Sequence, residues 1–295
     1  MKKFILTTAI VLLAVLVNAQ IISDSVVVLI RCDDSGMSNS TNLALEKFAA
    51  TKIPFSTSVM FACPWYQQAV DILKANPHIS VGIHLTLNAE WKNYRWGPIL
   101  GKEVPSLTDT EGYFFPSRKT LYENNPKLDE VEKELHAQVK RAVRSGLQID
   151  YIDYHMGTAV DKPEYRAIVE KLAKEYKLGI SRYFGEFYTD NMYSAPIEMK
   201  KDTLIDIITN RLEKGKVNLL VCHLGIDNDE LRAMLDLNPF GPTEMSRHRQ
   251  AELDAMLSSD FIDSIKSNKI KIITYRDLIT LVGSENMVSP LDSKK

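Results

Sequence analysis

Several features that would classify a chain at once are missing here. Cysteine is scarce, at three of 295 residues, and an odd count argues against a disulfide framework. No sign of charge dominates: 36 Lys+Arg stand against 38 Asp+Glu, a formal net charge of −2. That balance gives no reason to expect nucleic acid or an anionic membrane surface as a partner. A Walker A loop, a G-x-S-x-G elbow, an H-E-x-x-H pair and a C-x-x-C pair are all absent. No glycine-rich dinucleotide fingerprint follows a strand. What remains is 45% hydrophobic and 25% charged, the balance of an ordinary folded globular protein. The length admits two small domains or one α/β domain.

Long apolar runs are also lacking, with one exception. Lys2 and Lys3 precede an apolar stretch from Phe4 to Val17, and Val17-Asn18-Ala19 follows as a small-residue exit. That order predicts a signal peptide over residues 1–19, cleaved near Ala19. At 14 residues the stretch is short of the roughly 20 needed to span a bilayer, so no stable membrane anchor is expected. The expectation is an exported protein, periplasmic or extracellular, with residues 20–295 forming one domain.

Beyond that point, buried strands alternate with helices. Val26–Ile30 is a continuous β-branched run, as in a strand covered on both faces. Further strands are predicted over 55–61, 79–87, 149–154, 180–184, 217–222 and 270–275. Ser38 or Asn39 can cap a helix with Leu43, Leu45, Phe48 and Ala49 on its inner side. Further helices are predicted over about 67–74, 128–145, 202–213 and 244–257, with another between Asp161 as its cap and Gly179 past its end. Residues 91–125 read as an irregular insertion rich in aromatics. About seven β/α units without a composition break predict an α/β fold: a single-domain, distorted or incomplete (β/α) barrel of parallel strands. Active-site residues in such folds sit where strands end.

Polar residues collect at those exits. The first strand leads into Asp33-Asp34-Ser35-Gly36, and adjacent carboxylates there are costly unless something positive lies between them. A divalent metal would serve. Of six histidines, His84, His155 and His223 leave three different strands at corresponding ends. One strand histidine is more often a core group than a ligand; three, joined by two aspartates, are not well explained by chance. One carboxylate with two imidazoles leaves open positions, as hydrolytic metal sites need. His78, His136 and His248 fit surface positions. Cys32 and Cys222 each precede a candidate site residue, and strand alternation turns them away from it, into the packed layer under the helices.

In CDDSG at 32–36, TSVMF at 57–61, VGIHLTL at 81–87, DYHMG at 153–157, CHLG at 222–225 and RQAEL at 249–253, the chain resembles the YdjC/ChbG-like carbohydrate deacetylases, relatives of the NodB-type polysaccharide deacetylases. The resemblance runs from about residue 26 to 282. It implies a distorted (β/α) barrel with one divalent metal ion, zinc or magnesium first among the candidates. It further implies Asp34, His84 and His155 as metal ligands, Asp33 as catalytic base and His223 as the group that protonates the leaving nitrogen. Arg249 would orient neighbours or contact substrate. Ser35 stands where the family often has Phe, Leu224 where it often has Pro, and Met156-Gly157-Thr158 where many members carry a second histidine.

The reaction implied is removal of N-acetyl groups from acetylated amino sugars or oligosaccharides, with acetate released. Trp91, Tyr94 and Trp96 in the insertion are candidates for sugar contact, although aromatics there could equally pack a small core of their own. Tyr183, Phe184 and Tyr188 could line the same cleft. The rivals are a metal-dependent esterase or amidase acting on a non-sugar acyl group, and a binding protein that has lost catalysis. A glycosidase would need a second acid, for which Asp153 and Glu186 are the weak candidates. The expected partner is an acetylated carbohydrate; whether the chain forms a homo-oligomer is open.

Overall fold

The computed structural model describes residues 25–189, 192–239 and 241–290. The leader expected over 1–19 lies outside these residues. Among the described residues no helix is long and apolar enough to cross a membrane.

The strands are β1 (Val27–Ser35), β2 (Ser56–Val59), β3 (Ser80–Leu85), β4 (Ile149–Tyr154), β5 (Gly179–Ile180), β6 (Phe187–Tyr188), β7 (Val217–Cys222) and β8 (Lys271–Ile273). They form one sheet in the order β5-β4-β3-β2-β1-β7-β6, with β8 pairing to β1. Every pairing is parallel. The path of seven strands curls into a half-barrel surrounded by helices, an incomplete α/β barrel. The strands ending the path, β5 and β6, have two residues each and do not pair with one another among the described residues.

Alternation along β1 explains why the sheet is buried on both faces. Val28, Ile30 and Cys32 join the large core beneath the helices, whereas Val27 and Leu29 join an inner cluster with Tyr151, Leu219, Val221, Ile273 and Tyr275. That inner cluster plugs the bottom of the half-barrel. The same inward face continues upward as Arg31 and then Asp33. A polar site therefore stands on an apolar floor.

Gly82 shows how tightly the floor is built. A Cβ there would lie 2.3 Å from the Tyr151 ring, which stacks on Tyr275 at 4.2 Å between centroids. Gly82→Ala should force that ring off its seat and cost about 1–3 kcal/mol, the usual penalty of overpacking. Urea unfolding checks this; an unchanged midpoint would mean the ring has room to move.

The structure departs from the sequence expectations at several ends. β1 runs on to Ser35, so the two aspartates belong to the strand rather than to a following loop. The strand expected over 180–184 shrinks to β5, because Arg182 turns left-handed at φ 69° and Glu186 accepts the backbone N–H groups of Arg182 and Phe184. The cap expected at Asp161 is Lys162, since Thr158–Asp161 forms its own helical turn before Pro163–Tyr176. Two helices, Ser259–Ser267 and Tyr275–Val282, were not anticipated.

The insertion is ordered. Glu134 on the helix Leu128–Arg144 is wholly buried and accepts the N–H groups of Ile99 and Leu100. Nearby Gln138 bonds both the N–H and C=O of Thr86, just past β3. One helix thus ties the insertion to the strand that delivers His84.

Candidate metal centre and active site

Successive strand residues normally face opposite ways, so Asp33 and Asp34 should not share a side. They do because Asp34 adopts φ 65° and the β1–β2 register shifts between Cys32 and Ser35. Aspartate tolerates this left-handed conformation better than most residues. Gly36 then turns at φ 83°, where a Cβ would press on the Tyr66 backbone at 3.0 Å. The dipeptide is thereby bent into the cleft.

Three side chains converge there. Asp34 Oδ1 lies 3.3 Å from His84 Nε2 and 3.3 Å from His155 Nδ1, and the two nitrogens are 3.4 Å apart. Oδ1 is buried with no hydrogen-bond partner. Ligand atoms about 2.0–2.2 Å from a common ion stand roughly 3.0–3.5 Å from one another, so this triangle suits one. Each of the three is held from behind: Arg249 donates to Asp34 Oδ2 at 2.6 Å, Asp153 Oδ2 lies 2.9 Å from His84 Nδ1, and Glu90 Oε2 lies 3.0 Å from His155 Nε2. His84 and His155 therefore present opposite ring nitrogens. Hydrogen-bonded carboxylates behind metal-ligating histidines are a common arrangement.

The electrostatics agree that this place is built for positive charge. Although burial opposes charge on each ring, Asp153 and Asp34 raise His84 to about 9, and Glu90 and Asp34 raise His155 to about 10. Burial also weighs against an ionised Asp34, yet Arg249 and the two imidazoles hold it well below the usual carboxylate range. A divalent cation would displace the ring protons and keep the charge balanced. These buried residues could hold such an ion.

A second group, Asp33, His84 and Asp153, also lies close enough to bind metal. It is already neutralised. Arg31 binds Asp33 through Nε and Nη2, each at 2.7 Å, and its Nη1 lies 2.9 Å from Asp153 Oδ1. With Arg31 only 7% exposed, the guanidinium fills the place a cation would take.

Asp33 sits beside the triangle without facing its centre. Burial pushes its carboxyl up to about 6 in spite of Arg31. His223 Nε2 is 3.9 Å from Asp33 Oδ2, and burial drops this imidazole to about 3. The His223 backbone N–H donates to Glu252, which pairs with the buried Lys200 at 3.1 Å. Lys200 also donates to the carbonyls of Met192 and Tyr193, and Tyr193 sits edge-on to His223. Asp33, Asp34, His84, His155, His223 and Tyr193 line a cleft of about 310 Å³ together with Trp91, Tyr154 and Tyr188.

The structure thus brings together Asp33, Asp34, His84, His155, His223 and Arg249. The aromatics divide differently. Trp91 lines the cleft, although it is 1% exposed. Trp96 packs behind His155 and donates to the Asn88 carbonyl, while the Tyr94 hydroxyl donates to the Met37 carbonyl. Of the two arrangements expected for these rings, Trp96 is buried in a core with Phe114, Leu107 and Leu121, Tyr94 packs half-buried against that core, and neither lines the cleft. Tyr183 turns away to Arg166 and Glu170, and Phe184 packs on the inner floor. Asp153 is enclosed by Arg31 and His84, and Glu186 is held by Tyr275 and two backbone N–H groups, so the glycosidase reading loses its second acid. Of the remaining histidines, His78 is exposed; His136 is half-buried against Tyr176, and His248 is half-buried on the helix Met245–Leu257.

Arg31 and Glu90 have no role in the sequence expectations, and Asp153 enters them only as a glycosidase acid. Arg31 and Asp153 carried a signal, since each lies two residues before a named site residue on the same strand face. Glu90 carried none.

A model of the YdjC-like protein family matches residues 27–267. That family is generally cytoplasmic, which corrects the expectation of export drawn from residues 1–19. A protein of Brevibacillus brevis named carbohydrate deacetylase is 26% identical over 266 residues, covering 85% of this chain and 98% of its own length. One of Listeria welshimeri with the same name is 25% identical over 261 residues, covering 85% and 99%. Among solved structures, an Enterococcus faecalis protein described by a proposed role in cellobiose-phosphate cleavage superimposes with a TM-score of 0.67 at 22% identity, covering 86% of this chain and 99% of that one. That likeness concerns the fold. The family match spans most of the half-barrel and every residue of the converging site: the chain belongs to the YdjC-like protein family.

Proposed function

We propose that the protein is a metal-dependent carbohydrate deacetylase that hydrolyses the N-acetyl group of an acetylated amino sugar or oligosaccharide. The observation behind this reading is the pairing of a three-ligand triangle with an unliganded Asp33 and His223 on its rim. The names of its relatives support the substrate class.

When bound, the divalent ion would lower the pKa of water and polarise the acetyl carbonyl. Arg31, gripping both oxygens of Asp33, keeps that carboxylate from swinging in as a fourth ligand. Asp33 is thus free to take a proton from the attacking water. As the C–O bond forms and the C–N bond breaks, the departing nitrogen needs a proton. The proton that Asp33 takes up has to reach that nitrogen. His223 Nε2 stands 3.9 Å from Asp33 Oδ2, beyond direct hydrogen-bond reach, so the transfer through this imidazole needs a water or the substrate itself between them. The products are acetate and a free amine. Tyr154 and Tyr188 offer ring surface to the sugar, with Trp91 packed behind the cleft wall.

The test is acetate release from N-acetylated chito-oligosaccharides. A chelator should stop it and added zinc or magnesium restore it, while His84→Ala should take up little metal and stay inactive. Release that survives chelation would end the metal-dependent reading. Acetate released only from non-sugar amides or esters would favour the esterase or amidase alternative.

A further inference from the structure

Glu90 belongs to neither the strands nor the motifs, yet it is 4% exposed and its carboxylate meets His155. Burying a carboxylate without a partner costs several kcal/mol, so its location calls for a reason. Its backbone is pinned. The Leu237 N–H donates to the Glu90 carbonyl at 2.8 Å, the Lys92 N–H donates to the Leu235 carbonyl at 2.8 Å, and Trp91 pairs antiparallel with Asp236. A short two-stranded arm therefore holds Glu90 over the site, joining the insertion to the segment that leads into the Arg249 helix.

The need for it lies in the geometry of His155. His84 is steadied at Nδ1 by Asp153 on the adjacent strand β4, leaving Nε2 toward Asp34. His155 is turned the other way, with Nδ1 toward Asp34 and Nε2 outward. Nε2 is the ring nitrogen farther from the backbone, and here it points away from the strands, so a loop has to supply its acceptor. Trp96 closes the ring's flank at 6.3 Å between centroids.

Resting on the metal-dependent reading above, we infer that Glu90 is the positioning residue of the metal centre: it accepts the Nε2 proton of His155 and so commits Nδ1 to the ion. The loop that leads into the insertion, on this view, completes the metal site from outside the half-barrel. Glu90 touches His155 and acts through it. Its carboxylate completes for His155 what Asp153 does for His84.

The experiment compares zinc affinity of the wild-type protein, Glu90→Ala and Glu90→Gln, by competition with a chromophoric chelator. Loss of such an outer partner typically costs 10–100-fold in affinity, so Glu90→Ala should weaken zinc by about that factor. Glutamine keeps an oxygen acceptor and should restore most of it. In parallel, ¹⁵N NMR of the zinc-loaded wild-type protein should find His155 protonated on Nε2 and metallated on Nδ1. That measurement needs no variant, so it decides the matter even if Glu90→Ala fails to fold. Zinc held as tightly by Glu90→Ala as by wild type would overturn the inference. So would Glu90→Gln losing as much as alanine, which would make Glu90 a direct ligand, or metal found on Nε2. Wild-type protein that takes up neither zinc nor magnesium would overturn both this inference and the reading it rests on. Zinc uptake without acetate release sinks the deacetylase reading alone.

Discussion

Asp33→Asn protein should release acetate about 10²–10⁴ times more slowly than wild type while carrying the same amount of metal, the range a positioned general base contributes. Asparagine keeps the shape of the side chain but cannot take a proton from water. The ligand triangle of Asp34, His84 and His155 does not include Asp33, so metal content should be untouched. Arg31 would keep an oxygen acceptor and lose one of its two contacts, a change that thermal unfolding can follow separately. The separation of effects is what matters: rate lost, metal retained. Normal acetate release by this variant would remove Asp33 from the chemistry.

Arg31→Met should be the most damaging single substitution in the interior. The guanidinium stands between Asp33 and Asp153, and its Nη1 also donates to Ser181, whose hydroxyl is 2.6 Å from that of Tyr275. Without it, Asp33 loses its ion-pair partner and Asp153 is left with His84 alone. Breaking a buried pair by removing one partner usually costs about 3–5 kcal/mol, because the remaining charge stays buried. For a chain of this size that lowers the melting temperature by on the order of 10 °C. Adding Asp33→Asn and Asp153→Asn to Arg31→Met should recover much of the stability, since no stranded charge remains. A single variant that melts with wild type would mean water reaches the network.

The half-barrel was legible because its strands are apolar runs of the right length with helices between them, and the resemblance supplied the closure. Asp33, Asp34, His84, His155 and His223 were legible for a related reason: each is a polar residue at the end of an apolar strand, where parallel α/β folds place chemistry. What the ends of the strands could not reveal was the bend at Asp34, a left-handed backbone conformation that no spacing encodes. Glu90 and Tyr193 were invisible because they reach the site by loops folding back over it, with no periodicity to mark them. The insertion left two readings open for a physical reason. Trp96 and Tyr94 are equally suited to a sugar face or to one another, and composition does not distinguish an aromatic that lines a cleft from one that supports it.

Cys32 and Cys222 are registered partners in the ladder between β1 and β7, with sulfurs 3.2 Å apart. Asp33 and His223 each follow one residue later, just beyond the last shared rung. The span between the two groups proposed to pass a proton is therefore inherited from the spacing of neighbouring strands, about 4.8 Å, a constant of the sheet. Loops above the cleft can lengthen, shorten or change composition without altering that span. On the proposed mechanism, the contacts to substrate can change while the separation of Asp33 and His223 stays set by the sheet.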